Sequence, residues 1–283
     1  MQTLHDAAAL RAAIRAWRAQ GQSIGFVPTM GNLHAGHLAL VQLARARSNR
    51  VIASIFVNPT QFGHGEDFAR YPRTLERDQA GLASAGCDLL FAPAVEVIYP
   101  FGPAHTVRVS VPEITATLEG AHRAGHFDGV ATVVVKLFNL VQPDLAVFGQ
   151  KDWQQLLVVR RLVRDLALPL EIIAAPTVRE ADGLALSSRN QYLDADQRAR
   201  AAEVHATLQA MRAAHLGGQP RVQAEAAAAA RLRAAGFEPD YAAIRRGVDL
   251  AIPADTEHGG LIALIAARLG TTRLIDNLPF DGG

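Results

Sequence analysis

At 283 residues the chain is long enough for one large or two ordinary domains with a buried core. Its 49% hydrophobic and 19% charged residues exclude a disordered chain, and 28 Lys+Arg against 27 Asp+Glu, a net +1, give none of the basic footprint that nucleic-acid binding needs. The single Cys87 excludes an internal disulfide framework and a multi-cysteine zinc site, which fits a reducing compartment, the cytoplasm.

Residues 6–20 place Leu10, Ile14 and Trp17 at helical spacing, with Asp6 as N-cap and Gly21 as the stop, so the chain is expected to open with a helix. No unbroken apolar stretch of the signal-peptide kind precedes it. Residues 23–28 (SIGFVP) read as a buried strand, 31–48 as a loop running into a helix, and 50–57 (RVIASIFV) as a second strand ended by Asn58-Pro59. The alternation continues with a helix over 75–86, a strand over 88–93, an apolar helix over 130–142, a strand over 145–149, a helix over 152–166 and a strand over 170–176. Strands alternating with helices imply an α/β fold with a doubly wound, Rossmann-like parallel sheet, and ligands at the carboxyl ends of its strands.

Composition shifts after Pro176. Residues 178–197 are polar and loop-like. Two alanine-rich helices follow, from about residue 194 and from about residue 220, joined through GGQP; strands over 241–246, 261–268 and 272–276 close the chain. A domain boundary near 176–178 is therefore expected, dividing the chain into residues 1–177 and a smaller α+β domain over 178–283. The longest apolar runs, such as 261–267, fall far short of the roughly 20 residues that a bilayer requires, so no membrane association is expected.

Only Lys136 and Lys151 of the 28 basic residues are lysine. Where arginine is the general cation, a lysine marks a place for a compact, flexible ammonium; for Lys136, in the apolar run VATVVVKLFNLV, a snorkelling surface lysine is the other reading. Neither lysine is set in a Walker A loop, and G-x-G-x-x-G is missing. Gly21-Gln22-Ser23-Ile24-Gly25 matches the nucleophile elbow G-x-S-x-G, but with the helix before and the strand after, the reverse of the required order. It reads as an ordinary helix-to-strand turn.

Directly after the first of these strands, PTMGNLHAGHL brackets Gly36 with His34 and His37 where a helix begins. A helix N-terminus offers unpaired N–H donors and partial positive charge, imidazoles add donors, and glycine lets a nucleotide lie against the backbone: a place for phosphates. Surface histidines, or a zinc pair at i and i+3, are the plainer readings. Two further strand ends carry polar clusters, Asn58-Pro59-Thr60-Gln61 and Gly149-Gln150-Lys151-Asp152, the latter leading into Gln154 and Gln155. Lys151 falls where a phosphate charge would be neutralised, and the amides of Gln61 and Gln155 suit hydroxyl and carboxylate groups of a small polar substrate. Ser187, Ser188 and Arg189 supply two hydroxyls and a guanidinium on a loop beyond the boundary, either a phosphate clamp or a capping segment.

H-x-G-H, G-Q-K-D and the S-S-R loop together resemble the nucleotidyl-transferring superfamily that includes class I aminoacyl-tRNA synthetases. More narrowly, VPTMGNLHAGHL, SIFVNPTQF, YPRTL, KLFNLVQPD, VFGQKDWQQL and READGLALSSRNQYL, in order over residues 27–193, with RLIDN near the end, resemble the pantothenate synthetase (pantoate–β-alanine ligase) family. The resemblance implies an ATP-dependent ligase that condenses pantoate with β-alanine through pantoyl adenylate, releasing pyrophosphate and AMP. It implies that Met30, Gly31, Asn32, Leu33, His34, Ala35, Gly36 and His37 line the ATP site, His34 and His37 donating to phosphate oxygens and His37 acting as proton donor. Gly149, Gln150, Lys151 and Asp152 would continue the site, Lys151 stabilising the transferred phosphoryl group. Val178 would meet adenine through its backbone, Leu186, Ser187, Ser188 and Arg189 would close over the triphosphate, and Gln61 and Gln155 would hold pantoate, Gln61 also lying near β-alanine and Asn58 nearby as a further substrate-binding candidate. The first domain would then bind ATP and pantoate and the second act as a lid. Mg²⁺ would accompany ATP, held largely by phosphates and water, with no dedicated carboxylate cage in the sequence, and the protein would be a homodimer. A nucleotidylyltransferase without the amide-forming step, a zinc hydrolase using His34 and His37, and a non-enzymatic nucleotide-binding module are the competing readings.

Overall fold

The first element of the computed structural model, which describes residues 1–63 and 67–280, is a strand and not the expected helix: β1 (Gln2–Leu4) lies parallel to residues 89–91. Three residues are too few for a period to register. α1 (Ala7–Arg18) follows, capped by the Asp6 carboxylate, which accepts the Ala9 N–H at 2.8 Å. β2 (Ile24–Thr29), α2 (Ala35–Arg47), β3 (Arg50–Ile55), α3 (Leu75–Ser84) and β4 (Leu89–Phe91) continue the alternation. After the short helices α4 (Val95–Ile98) and α5 (Glu119–His122) come α6 (His126–Val141), β5 (Leu145–Gly149), α7 (Trp153–Asp165) and β6 (Glu171–Ala175). The serine of the G-x-S-x-G match sits in the turn between α1 and β2, where its hydroxyl donates to Asn49 Oδ1 at 2.9 Å.

These strands form a six-stranded, all-parallel sheet in the order β1-β4-β3-β2-β5-β6. Strand side chains alternate between faces, and here both faces are apolar, as a sheet covered on each side requires. Val27, Val51, Ala53, Leu90, Leu145 and Val147 pack with Val41 and Ala44 of α2 and Leu82 of α3. On the other face Phe26 and Phe148 each meet Phe138 of α6 edge-on, at centroid distances of 6.3 Å. Each such fully buried side chain contributes about 1.5–3 kcal/mol. The chain reverses its direction of winding between β2 and β5, neighbours in register at Gly25↔Leu145, and the carboxyl ends of such a pair are where ligands bind in open α/β sheets. Those ends release the Met30 loop and the turn beginning at Gln150.

Contacts divide the chain into two compact units, residues 1–150 with 158–175, and residues 151–157 with 176 onward. This differs from the expected division at 177/178. The junction lies two residues earlier, and the segment 151–157 belongs with the C-terminal unit, because Trp153 Nε1–H donates to the Gly247 carbonyl at 2.9 Å and Asn277 Nδ2 to the Lys151 carbonyl at 2.8 Å.

In the second unit the expected single helix from about residue 194 is two helices, α8 (Ala195–Ala201) and α9 (Glu203–Leu216). No glycine or proline marks the break; the ladder tightens at Ala202, whose carbonyl takes the His205 N–H three residues on. α10 (Arg221–Ala234) follows, then β7 (Glu238–Arg246), β8 (Leu261–Leu269) and β9 (Thr272–Pro279), an antiparallel sheet in the order β7-β8-β9. Val204, Leu208 and Met211 of α9 and Ala228 and Leu232 of α10 pack on Leu261, Ala263 and Ile265 of β8. Among the described residues no helix is long and apolar enough to cross a membrane.

Candidate active site

The H-x-G-H segment forms a helix cap built from two imidazoles. His34 is the N-cap of α2; its Nδ1 accepts the Gly36 N–H at 3.1 Å, while His37, three residues into the helix, returns its own Nδ1 to the His34 N–H at 3.3 Å. This is the reciprocal geometry of a Ser-x-x-Glu capping box with ring nitrogens as the acceptors. An Nδ1 that accepts a hydrogen bond carries no proton, so both rings hold theirs on Nε2 and offer Nε2–H as the donating edge. The ring centroids stand 4.0 Å apart, at the positive end of a 13-residue helix.

The loop between β2 and this cap is held from α3. Gly31 and Asn32 both take positive φ, +83° and +50°. The Asp78 carboxylate, 1% exposed, accepts the Asn32 N–H at 2.8 Å, the Leu33 N–H at 2.9 Å and the Thr74 hydroxyl at 3.1 Å. A Cβ at Gly31 would lie 3.0 Å from Ile55 Cγ2, so both the turn and the close approach call for glycine. Arg77 adds a bond to Asn32 Oδ1 at 2.7 Å. The sequence reading missed Asp78; its partners lie 45 and 46 residues away.

Asn58 and Gln61, both buried, are also brought to this unit's site. The Gln61 Nε2 donates to the Met30 thioether at 3.1 Å, and its Oε1 accepts from Asn58 Nδ2 at 3.0 Å. Asn58 is used on every side: Nδ2 donates also to the Gly129 carbonyl at 3.1 Å, and Oδ1 accepts the Tyr99 hydroxyl at 2.7 Å and the Thr60 hydroxyl at 3.0 Å. Burial pushes the Tyr99 phenol up from its ordinary value, against a smaller downward pull from Thr60, which keeps it the donor to Asn58. The main chain of this turn (Pro59–Gln61) presses on α6, where a Cβ at Gly129 would lie 2.5 Å from the Thr60 carbonyl carbon and 2.7 Å from Gln61 Cα. From the first turn of α6, His126 Nδ1–H donates to the Gln61 carbonyl at 2.8 Å. Lys136 lies outside this cluster: its Nζ donates to the Ile98 carbonyl at 3.1 Å, at the end of α4, and stands 5.3 Å from the centre of the Tyr99 ring.

In the second unit, Lys151 and Asp152 sit in the short turn Gln150–Asp152, and Gln155 is half-buried in the first turn of α7. Val178 and Leu186 are paired, Leu186 N–H donating to the Val178 carbonyl at 3.0 Å across a hairpin that bridges Arg179 to Ala185 and turns at Gly183. Ser187 and Ser188 follow at once; Ser187 caps the turn Ser188–Tyr192 by accepting the Arg189 N–H at 3.3 Å. Arg179 grips Asp276 with two bonds, of 2.6 and 3.0 Å. Burial and Arg179 push the adjacent His205 imidazole below its ordinary value, against the upward pull of Asp276. Among the described residues no three His, Cys, Asp or Glu side chains are grouped as metal ligands.

Comparison with known proteins identifies the family. The profile of the family described as Pantoate-beta-alanine ligase matches residues 2–279. The chain is 56% identical over 280 residues to the pantothenate synthetase of Xanthomonas euvesicatoria pv. vesicatoria, covering 99% of this chain and all of that one. Its fold superposes on the crystal structure of pantothenate synthetase from Thermus thermophilus with a TM-score of 0.92 and 52% identity, over 99% of both chains. It superposes also on the pantoate-beta-alanine ligase of Francisella tularensis, complexed with beta-gamma ATP and beta-alanine, with a TM-score of 0.84 and 33% identity over 100% of this chain and 99% of that one. The chain belongs to the pantoate–β-alanine ligase family and is a ligase of pantothenate biosynthesis.

Proposed function

We propose that the chain joins pantoate to β-alanine with ATP in two steps through a pantoyl adenylate. First a carboxylate oxygen of pantoate attacks the α-phosphorus, and the bond to the bridging oxygen breaks as pyrophosphate leaves with the electron pair. Then the deprotonated amine of β-alanine attacks the acyl carbon, the C–N bond forms, the bond to the adenylate oxygen breaks, AMP departs with the electron pair and the surplus proton on nitrogen passes to water. Both nucleophiles belong to the substrates, so the chain's contribution is positioning and charge stabilisation rather than covalent attack. That the Francisella tularensis relative was solved with a β,γ-ATP compound and β-alanine supports both substrates here.

The observation that carries the reading is the double-imidazole cap of α2: two Nε2–H donors fixed beside the N–H groups of a helix start, at the winding reversal of a parallel sheet. In this reading Met30 to His37 receive the triphosphate, and His37 donates its Nε2 proton toward the departing phosphate oxygens. Gln61 turns its NH₂ edge to pantoate, while Asn58, wholly engaged with Tyr99, Thr60 and Gln61, orients that amide instead of touching substrate. Lys151 neutralises charge on the transferred phosphoryl group, Gln155 binds pantoate, Val178 meets adenine through its backbone, and Leu186 to Arg189 close on the phosphates as part of a lid. Mg²⁺ bound with ATP would be held largely by phosphate oxygens and water and would supply charge neutralisation there. A cytoplasmic homodimer completes the proposal, checked by sedimentation.

The test uses pantoate labelled with ¹⁸O in its carboxylate. Pyrophosphate release that depends on pantoate, with one labelled oxygen recovered in AMP once β-alanine is added, is the expected result. Pyrophosphate formed equally without pantoate would refute the ligase reading, and unlabelled AMP would refute the adenylate.

A further inference from the structure

Two adjacent buried residues of β9, Asp276 and Asn277, have no part in the scheme above, yet they meet two of its segments. They are 5% and 2% exposed on an edge strand of the three-stranded sheet, and buried polar groups of this kind are retained where their bonds are made. The Asp276 carboxylate receives the Arg179 fork, Nη1 to Oδ2 at 2.6 Å and Nη2 to Oδ1 at 3.0 Å. The same guanidinium donates to the Asn277 carbonyl at 3.1 Å and to the Gly183 carbonyl at 3.0 Å, so it ties one arm and the turn of the 178–186 hairpin to β9. Asn277 gives its N–H to Asp276 Oδ1 at 2.8 Å and sends Nδ2 to the Lys151 carbonyl at 2.8 Å, across 126 residues of sequence. Successive residues of a strand face opposite sides of the sheet. One dipeptide therefore reaches both the hairpin that leads into Ser187 and the turn that carries Lys151.

We propose that Asp276 and Asn277 are positioning residues for the ligase reaction, setting the main chain of Lys151 against the segment that carries Ser187 to Arg189. The inference rests on the assignment of Lys151 and that loop to ATP. Neither residue meets substrate; Asn277 acts through a backbone carbonyl, a tie that persists whatever side chain stands at 151. A bidentate guanidinium–carboxylate pair and an amide-to-carbonyl bond are both geometrically demanding, which suits a device whose output is a fixed spacing.

A double-mutant cycle on the full-length protein tests it, with kcat and KM for ATP measured for the parent, Asn277→Ala, Lys151→Ala and the double variant, and thermal midpoints alongside. Asn277→Ala is expected to lower kcat about tenfold with KM for ATP changed less than about threefold, since a small misplacement near the chemistry has that scale of effect. In the Lys151→Ala background the same substitution is expected to change kcat less than twofold, because the group it positions is gone. A fall in kcat that multiplies undiminished onto Lys151→Ala would overturn the proposal, as would an Asn277→Ala enzyme with parental kcat; either leaves the assignment of Lys151 intact when Lys151→Ala alone is crippled. A fully active Lys151→Ala would instead refute that assignment, and the proposal with it. Should Asn277→Ala fail to fold, Asn277→Ser, too short to span to the Lys151 carbonyl, takes its place in the cycle.

Discussion

Replacing Gly129 with alanine probes how firmly α6 sets the position of Gln61. The added methyl would lie 2.5 Å from the Thr60 carbonyl carbon and 2.7 Å from Gln61 Cα, where non-bonded carbons sit about 3.5–4.0 Å apart. The turn Pro59–Gln61 must then retreat by about 1 Å, since the other party is the main chain of a 16-residue helix and yields less. Overpacking of this kind costs about 1–3 kcal/mol, and part of it falls on the Asn58 bond to the Gly129 carbonyl and the His126 bond to the Gln61 carbonyl. If Gln61 holds pantoate, a displacement of about 1 Å lowers kcat/KM for pantoate about 10²-fold while KM for ATP moves much less. Steady-state kinetics with each substrate varied in turn, beside a melting curve shifted down by several degrees, checks both halves. Gly129→Ala with kcat/KM for pantoate within threefold of the parent would refute the claim that this contact places the amide; equal losses for ATP and pantoate would refute its specificity.

Asp78→Asn puts an NH₂ against the Asn32 or Leu33 N–H, leaving a buried donor unpaired at about 1–3 kcal/mol, and is expected to raise KM for ATP about tenfold; an unchanged KM removes Asp78 from the nucleotide loop. The His205 imidazole is held below its ordinary value of 6.5, so its contribution to stability is present above that pH and lost as pH falls below it, when the unfolded chain binds the proton first. Urea midpoints measured from pH 7.5 to 5.5 should decline more for the parent than for His205→Gln, and parallel declines would contradict this. Burial pushes the Cys87 thiol up to about 11, so iodoacetamide at pH 8 should leave it unmodified until urea unfolds the chain; rapid labelling of the native protein would show the thiol to be accessible. ATP is expected to slow proteolytic cleavage at 187–189, and equal cleavage with and without nucleotide would contradict closure of that loop.

The parallel sheet was readable because strands buried on both faces leave continuous apolar runs, as in residues 24–29, 50–55 and 145–149, separated by helical periods. Its edge strand β1 was not, since three residues carry no period and their identity as a strand comes from pairing with Leu89 to Phe91. The run of good helix formers through Arg200, Ala201, Ala202 and Glu203 hid the break at Ala202, where only a hydrogen-bond offset marks the end of a helix. The H-x-G-H spacing announced a helix start, but that the rings themselves cap it depends on the φ of −125° at His34 and on Nδ1 rather than Nε2 facing inward. Asp78, Tyr99 and Gly129 gave no local signal, and Arg179, Asp276 and Asn277 stood inside READGL and RLIDN with no role attached: each acts on a residue tens of positions away, and a lone Asp or Asn in a helix or strand reads as a solvated side chain until its partner is known.

Under the proposed function, the paired imidazoles of α2 bear on the cost of catalysis. A half-turn of either ring would replace its accepting nitrogen with a carbon and leave a backbone N–H bare, so the torsional freedom of both side chains is surrendered when the helix forms. In the proposed reaction that entropy is absent from the encounter with nucleotide, and the donors wait in one orientation without being ordered by it.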